Sequence, residues 1–272
     1  MANNATQQLK DNLNHFRNTC QHTSMGLLES VISYLIKKNN GIVRSIEQSE
    51  GVDKLVKLLS ERETGPDTES GHSMAQEDEA THEELILLAN CDLDEIIDKN
   101  RLIPRIDFFT SASKIIMDTL RQNSKLLHLY NQVATSLFQF CLKFKSKREY
   151  RRLADTLHNH FQQLQKAKKN PDSFFQSKIP YPVKIDDPEC QKFLLELRKT
   201  QIEYALKMEA WTDAYRTSEI IFTLINKQEK RVVKSHLQTF FTQLSLIFFK
   251  SGNYLFHSYA LMNQHSIAQR NT

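Results

Sequence analysis

The sequence predicts an all-α fold, a right-handed array of antiparallel helix pairs stacked as a repeat solenoid. Three observations carry this. Six Gly and six Pro in 272 residues are about a third of the average share, and sheet-rich folds need both at their many turns. Apolar residues recur three and four apart along most of the chain, the period of one buried helix face. An apolar-Lys helix end followed by an aromatic occurs at 144–150 (FKSKREY), 206–211 (LKMEAW) and 249–254 (FKSGNY). Trp211 and Tyr254 are 43 residues apart; Tyr150 and Trp211 are 61 apart, or 42 without the 19-residue proline segment 170–188. A period near 42 lies at the long end of helix-turn-helix repeats.

Residues 1–60 read as N-terminal helices. Leu27, Leu28, Val31, Ile32, Leu35 and Ile36 form one apolar face. Gly41 and Gly51 punctuate the turns that follow, and Val52, Leu55, Val56 and Leu59 resume the pattern. From Glu61 to Ala80 the chain is acidic and has no aromatic residue. Such a stretch cannot bury enough apolar surface to offset chain entropy, which predicts a disordered loop, or a linker between two units. Residues 81–272 form the array proper. Thr81 and Glu84 make a capping box, in which hydroxyl and carboxylate satisfy free helix amides reciprocally. Pro104 suits the first turn of a helix running to about Arg121. A turn at Asn123-Ser124 precedes a helix to about Lys145, and a second box, Ser146 and Glu149, opens a helix to about Lys169. Asn170–Pro188 holds four of the six prolines and is held extended by their fixed φ. Helices at about 189–208, 210–227, 232–250 and 252–266 follow.

Motifs for chemistry are missing. There is no G-x-G-x-x-G, G-x-x-x-x-G-K-[ST], G-x-S-x-G or H-E-x-x-H, so no phosphate cradle, nucleophile elbow or zinc helix is indicated. Cysteines 20, 91, 141 and 190 include no C-x-x-C. His158 and His160 lie about 200° apart on a helix and cannot readily share an ion. Cys20 and His22 offer only two ligands, and Asp92, Asp94 and Glu95 lack the glycine and terminal glutamate of a calcium loop. The reading is a non-enzyme with no metal, no cofactor and no small-molecule substrate. Met1–Lys10 lacks an apolar signal region, and the longest apolar-rich stretch, Leu237–Phe249, has 13 residues, short of the ~20 a bilayer requires. Scattered thiols and no membrane segment predict a cytoplasmic protein.

Charge is polarised behind a net of +4. Residues 61–98 carry 13 acids and one base, Arg62, whereas 143–169 carry nine bases and two acids, Glu149 and Asp155. In the helix after Ser146, Tyr150, Leu153, Leu157, Phe161 and Leu164 share one face, and the bases fall largely opposite. Lys143, Lys145, Lys147, Arg148, Arg151, Arg152, Lys166 and Lys169 are therefore the candidate RNA or ribosome contact, since a basic stripe can displace counterions from phosphates. The competing account is a solvated face, or one paired with the acidic segment in cis. Residues 236–260 are the most aromatic stretch. Core packing accounts for most of these rings, and Phe248, Phe249, Tyr254, Phe256 and Tyr259 are the candidate subunit-docking residues.

Four runs carry a family resemblance: RQNSKLLHLYNQVATSLFQFCLKF (121–144), REYRRLADTLHNHF (148–161), ELRKTQIEYALKMEAWTDAY (196–215) and FFKSGNYLFH (248–257). Together they resemble the largest subunit of eukaryotic translation initiation factor three, over roughly residues 100–260. The resemblance implies a tetratricopeptide-like array leading into a PCI domain, within a non-enzymatic scaffold. Its implied partners are the other initiation factor three subunits, the other PCI subunits above all, and the small ribosomal subunit through protein and rRNA, with mRNA a further candidate. The chain reaches Thr272 before any strand-rich winged helix and before the family's charged tail, which suggests a fragment; segments 61–80 and 170–188 look like insertions. The rival readings are a PCI-type scaffold of the proteasome lid or signalosome, and a direct RNA-binding helical module.

Overall fold

The computed structural model describes residues 7–15, 25–50, 56, 57, 59, 93–169, 181–226 and 230–269. Residues 7–15 form α1. The other long helices are α2 (Met25–Glu50), α3 (Leu93–Leu120), α4 (Leu127–Lys143), α5 (Lys147–Lys169), α6 (Pro188–Met208), α7 (Trp211–Ile225), α8 (Lys230–Lys250) and α9 (Tyr254–Gln269). A short 3-10 turn, Ser124–Leu126, leads into α4. Among the described residues there is no strand, only an isolated antiparallel bridge between Asn123 and Pro182. The fold is therefore all-α, with successive helices packed on one another and α4 lying against α2, α3, α5 and α6.

One continuous core runs through these pairs. Ile32 and Ile36 of α2 belong to one buried cluster with Leu102, Phe109 and Ile116 of α3 and Val133, Leu137 and Phe140 of α4. The same core continues through Tyr150 and Leu157 of α5, Ile202 and Ala205 of α6, Ile221 of α7 and Ile247 of α8. Aromatic pairs stiffen the centre: Phe138 lies 5.7 Å from Tyr150 and stacks on Tyr204 at 5.5 Å, spacings at which ring quadrupoles attract.

Three expectations about boundaries are corrected. Gly41 does not punctuate a turn; it sits inside α2 on an exposed position. An exposed glycine costs a helix roughly 1 kcal/mol, and the buried stripe of Leu28, Ile32 and Ile36 outweighs that. Pro104 does not open a helix but lies inside α3. Its ring forfeits one backbone bond, while Leu102, Ile106 and Phe109 around it are buried, so packing carries the helix through. The third correction concerns the repeat. Lys145, Glu209 and Gly252 have φ of 52°, 56° and 79°. After each, an amide reaches back five residues: Ser146 to the Cys141 carbonyl (3.0 Å), Ala210 to Ala205 (3.0 Å) and Asn253 to Phe248 (2.8 Å). This is one left-handed helix stop used three times, and the next helix begins two residues later. The counterpart of Trp211 and Tyr254 is thus Lys147. Tyr150 lies a turn further on, in the core.

The second capping box forms by half. The Glu149 amide donates to Ser146 Oγ (3.4 Å), but the Ser146 amide is taken by Cys141 and the Glu149 carboxylate accepts from Arg152 (2.8 Å). The box at Thr81, the acidic loop 61–80, Gly51, Asp92, Cys20, His22 and Cys91 lie outside the described residues, as does 170–180 of the proline segment. Of its remainder, 181–184 is non-helical, with the Ser124 amide donating to the Tyr181 carbonyl (3.0 Å), but 185–187 turns, the Asp187 amide donating to the Lys184 carbonyl (3.2 Å), and Pro188 opens α6.

Candidate functional surfaces

The basic edge is built by α5 and the turn before it. Burial of Tyr150, Leu153, Leu157 and Phe161 fixes the rotation of α5, so Lys147, Arg151, Arg152 and Lys166 are exposed and Arg148 is half-buried. Lys143 and Lys145 are exposed at the turn; the Lys169 side chain lies outside the described set. The stripe is not uniform. Arg152 pairs with Glu149 at 2.8 Å, and Arg148 and Lys143 each make a further contact. Lys168, the one base that falls on the apolar side of α5, leaves the stripe and bonds Asp186 at 2.6 Å. Lys147, Arg151 and Lys166 are exposed along α5.

Two residues distant in sequence extend this edge. Arg216 of α7 reaches Asp155 at 2.6 Å, neutralising the acid in the middle of the stripe. Arg44 of α2 shares a 220 Å³ groove with Lys143, Asn40, Ser136 and Gln139, over Phe109 and Phe140. No local pattern could have linked Arg44 or Arg216 to α5; only helix packing brings them there.

Behind the stripe, the same helix contributes a buried polar chain. The Tyr130 hydroxyl is hydrogen-bonded to His160 Nδ1 (2.9 Å), and His160 Nε2 lies 2.9 Å from Asp118 Oδ1, to which it donates because a carboxylate only accepts. The hydrogen bond from His160 holds the Asp118 carboxyl below its usual range, and burial raises the Tyr130 phenol well above its own. Arg198 is fully buried; its Nη1 donates to Gln201 Oε1 (2.7 Å) and its Nη2 to the Leu157 carbonyl (2.8 Å). Burial depresses its guanidinium to about 10. His158 and His160 part company as their spacing requires: His158 contacts Gln162 on the outer side. Among the described residues no group of three potential metal ligands converges. Cys141 and Cys190 are buried thiols outside any disulfide, and Cys190 Sγ donates to Asp187 Oδ2 (3.3 Å).

The aromatic terminal pair overturns the expectation of core packing. Phe240 is buried and Phe241 and Phe248 are half-buried, but Phe249, Tyr254, Phe256 and Tyr259 are 55, 65, 55 and 61% exposed. Leu255 and Met262 are more exposed still, and Ala260 is the buried residue of α9. The α8–α9 pair closes through the Asn253 turn, the stack of Phe248 on Phe256 (5.4 Å), the ring contact of Phe249 with His257 (5.3 Å) and Gln264 Nε2 donating to Thr242 Oγ1 (3.0 Å). Phe249, Tyr254, Leu255, Phe256, Tyr259 and Met262 nonetheless leave more than half of their surface exposed.

The family model described as "eIF3a, PCI domain, TPR-like region" matches residues 3–272. The chain belongs to this family. Among relatives named for the eIF3a subunit of eukaryotic translation initiation factor 3, it is 30% identical to that of Yarrowia lipolytica over 93% of its length. It is 29% identical to that of Schizosaccharomyces pombe over 92%, and 28% identical to that of Danio rerio over 93%. It spans 25, 25 and 18% of those relatives. Membership sets aside the proteasome-lid and signalosome readings. Among the described residues no helix is long and apolar enough to cross a membrane.

Proposed function

We propose that the chain is a non-enzymatic scaffold segment of the initiation factor three assembly in the cytoplasm. It presents two surfaces of opposite chemistry: a basic edge that meets the small ribosomal subunit, and an apolar face that meets another subunit or the next helical unit. The observation that carries this is the exposure of large side chains along α8–α9, because many outward rings on an otherwise packed array mark a docking surface. Phe249, Tyr254, Phe256 and Tyr259 are its anchors, with half-buried Phe248 at the inner margin.

The basic edge binds by charge rather than by base readout. Its cations sit on the side of α5 opposite the rings, so stacking on bases does not contribute. Affinity should therefore depend steeply on salt. The test is binding of purified small ribosomal subunits, and of an rRNA oligonucleotide, across a salt series. Lys147→Glu with Arg151→Glu and Lys166→Glu removes three phosphate contacts and should reduce the log–log salt slope by about 2. An unchanged slope with intact folding refutes the α5 contact and leaves the scaffold reading on the apolar face alone.

A further inference from the structure

Between α4, α5 and α6 lies a cavity of about 20 Å³, lined by Tyr130, His160, Leu157, Phe161, Leu197 and Arg198, among others. Its polar groups are unequally satisfied. Both terminal nitrogens of Arg198 have acceptors, but its buried Nε–H meets none among the protein atoms. A buried donor without an acceptor costs about 1–3 kcal/mol, more when the group is charged. Tyr130 lines the same cavity; with a neutral His160 ring donating through Nε2 to Asp118, Nδ1 can only accept from the Tyr130 hydroxyl, which leaves lone pairs on Oη to be met. The two side chains feel each other's field.

We propose that one water molecule is a built-in component of this core, accepting from Arg198 Nε and donating to Tyr130 Oη. The volume fits: a site needs roughly 10–15 Å³ to hold a water. The donor pattern distinguishes water from a halide, the other small occupant a guanidinium attracts. A halide can only accept, and it would face the Tyr130 lone pairs with like charge. Water accepts on one side and donates on the other. Hydrogen bonds then run in one direction from the core to the surface: Arg198 to water, water to Tyr130, Tyr130 to His160, His160 to Asp118. The half-exposed Asp118 carboxylate becomes the negative end of a chain whose positive end is Arg198, and α3, α4, α5 and α6 are joined through it. His160 is held as the Nε2–H tautomer.

A high-resolution crystal structure of the whole chain, with a bromide-soaked companion, tests this. A fully occupied water at about 2.7–3.2 Å from both Arg198 Nε and Tyr130 Oη, with no anomalous bromide signal there, supports it. An empty cavity, a bromide, or a direct Arg198–Tyr130 contact overturns it. In solution, the Arg198 Nε–H resonance should show cross-relaxation to a long-lived water. Tyr130→Phe should abolish that peak and raise the unfolding equilibrium constant about tenfold. A peak that persists in Tyr130→Phe overturns the bridge. If that variant fails to fold, the wild-type spectrum and crystal decide alone.

Discussion

Glu209 and Lys145 hold left-handed backbone with φ of 56° and 52°, a conformation that costs a residue with a Cβ about 1–2 kcal/mol. Glycine escapes that cost but loses about 0.5–1 kcal/mol through its freer unfolded chain. Glu209→Gly should therefore stabilise the protein by about 0.5–1 kcal/mol. Glu209 is exposed, so no packing is lost with its side chain. The third turn supplies the mirror experiment. A Cβ added at Gly252 meets no atom within 4 Å, so Gly252→Ala should lose about 1 kcal/mol on conformation alone. Equilibrium urea denaturation followed by circular dichroism reads both: the midpoint rises for Glu209→Gly, falls for Gly252→Ala, and the m-value stays constant. Glu209→Ala is the control, because it keeps the strain and should stay within about 0.5 kcal/mol of wild type. If Glu209→Gly is neutral or destabilising while Glu209→Ala matches wild type, the shared left-handed stop is not what ends these helices.

Two further outcomes follow from the site. The Asp118 carboxyl is held down by His160 first and more weakly by Arg121; a depressed acid lends stability that is complete above its unfolded value of 3.8 and lost as pH falls below it. Asp118→Asn should flatten the stability–pH curve in that acid window, as read by urea midpoints at each pH. On α8–α9, Tyr259→Ser with Met262→Ser, at exposed positions, should change stability by less than about 0.5 kcal/mol while reducing capture of partner subunits or self-association in light scattering. Phe240→Ala, from the core side of the same pair, should cost about 3–5 kcal/mol. Equal costs for the two would mean that the exposed side chains are packed after all.

Much of the fold was legible from local pattern. The apolar stripe of α5, the turn after Asn123 and the boundaries of α6 to α9 all follow from periodicity and turn chemistry, which act over a few residues. The misreadings share a cause. Gly41 and Pro104 break helices in isolation, but each lies in a helix whose apolar face is buried in the shared core, and tertiary packing exceeds a local penalty of about one to three kcal/mol. The turn register was missed because Lys145 and Glu209 do not advertise a left-handed conformation, as Gly252 does.

The sequence by itself determined that this is a helical-repeat chain of the eIF3a family, with a basic stripe on one amphipathic helix and an aromatic-rich terminal pair. Amphipathicity assigns a side chain to one face or the other of its own helix, which is enough for that. Which faces acquire a neighbour was decided by the tertiary structure alone. It placed Arg216 on Asp155 and Arg44 beside Lys143, enclosed Arg198 among α4, α5 and α6, and turned Tyr254, Phe256 and Tyr259 outward. Burial and pairing depend on groups tens of residues away, and no short-range pattern encodes where those groups will lie.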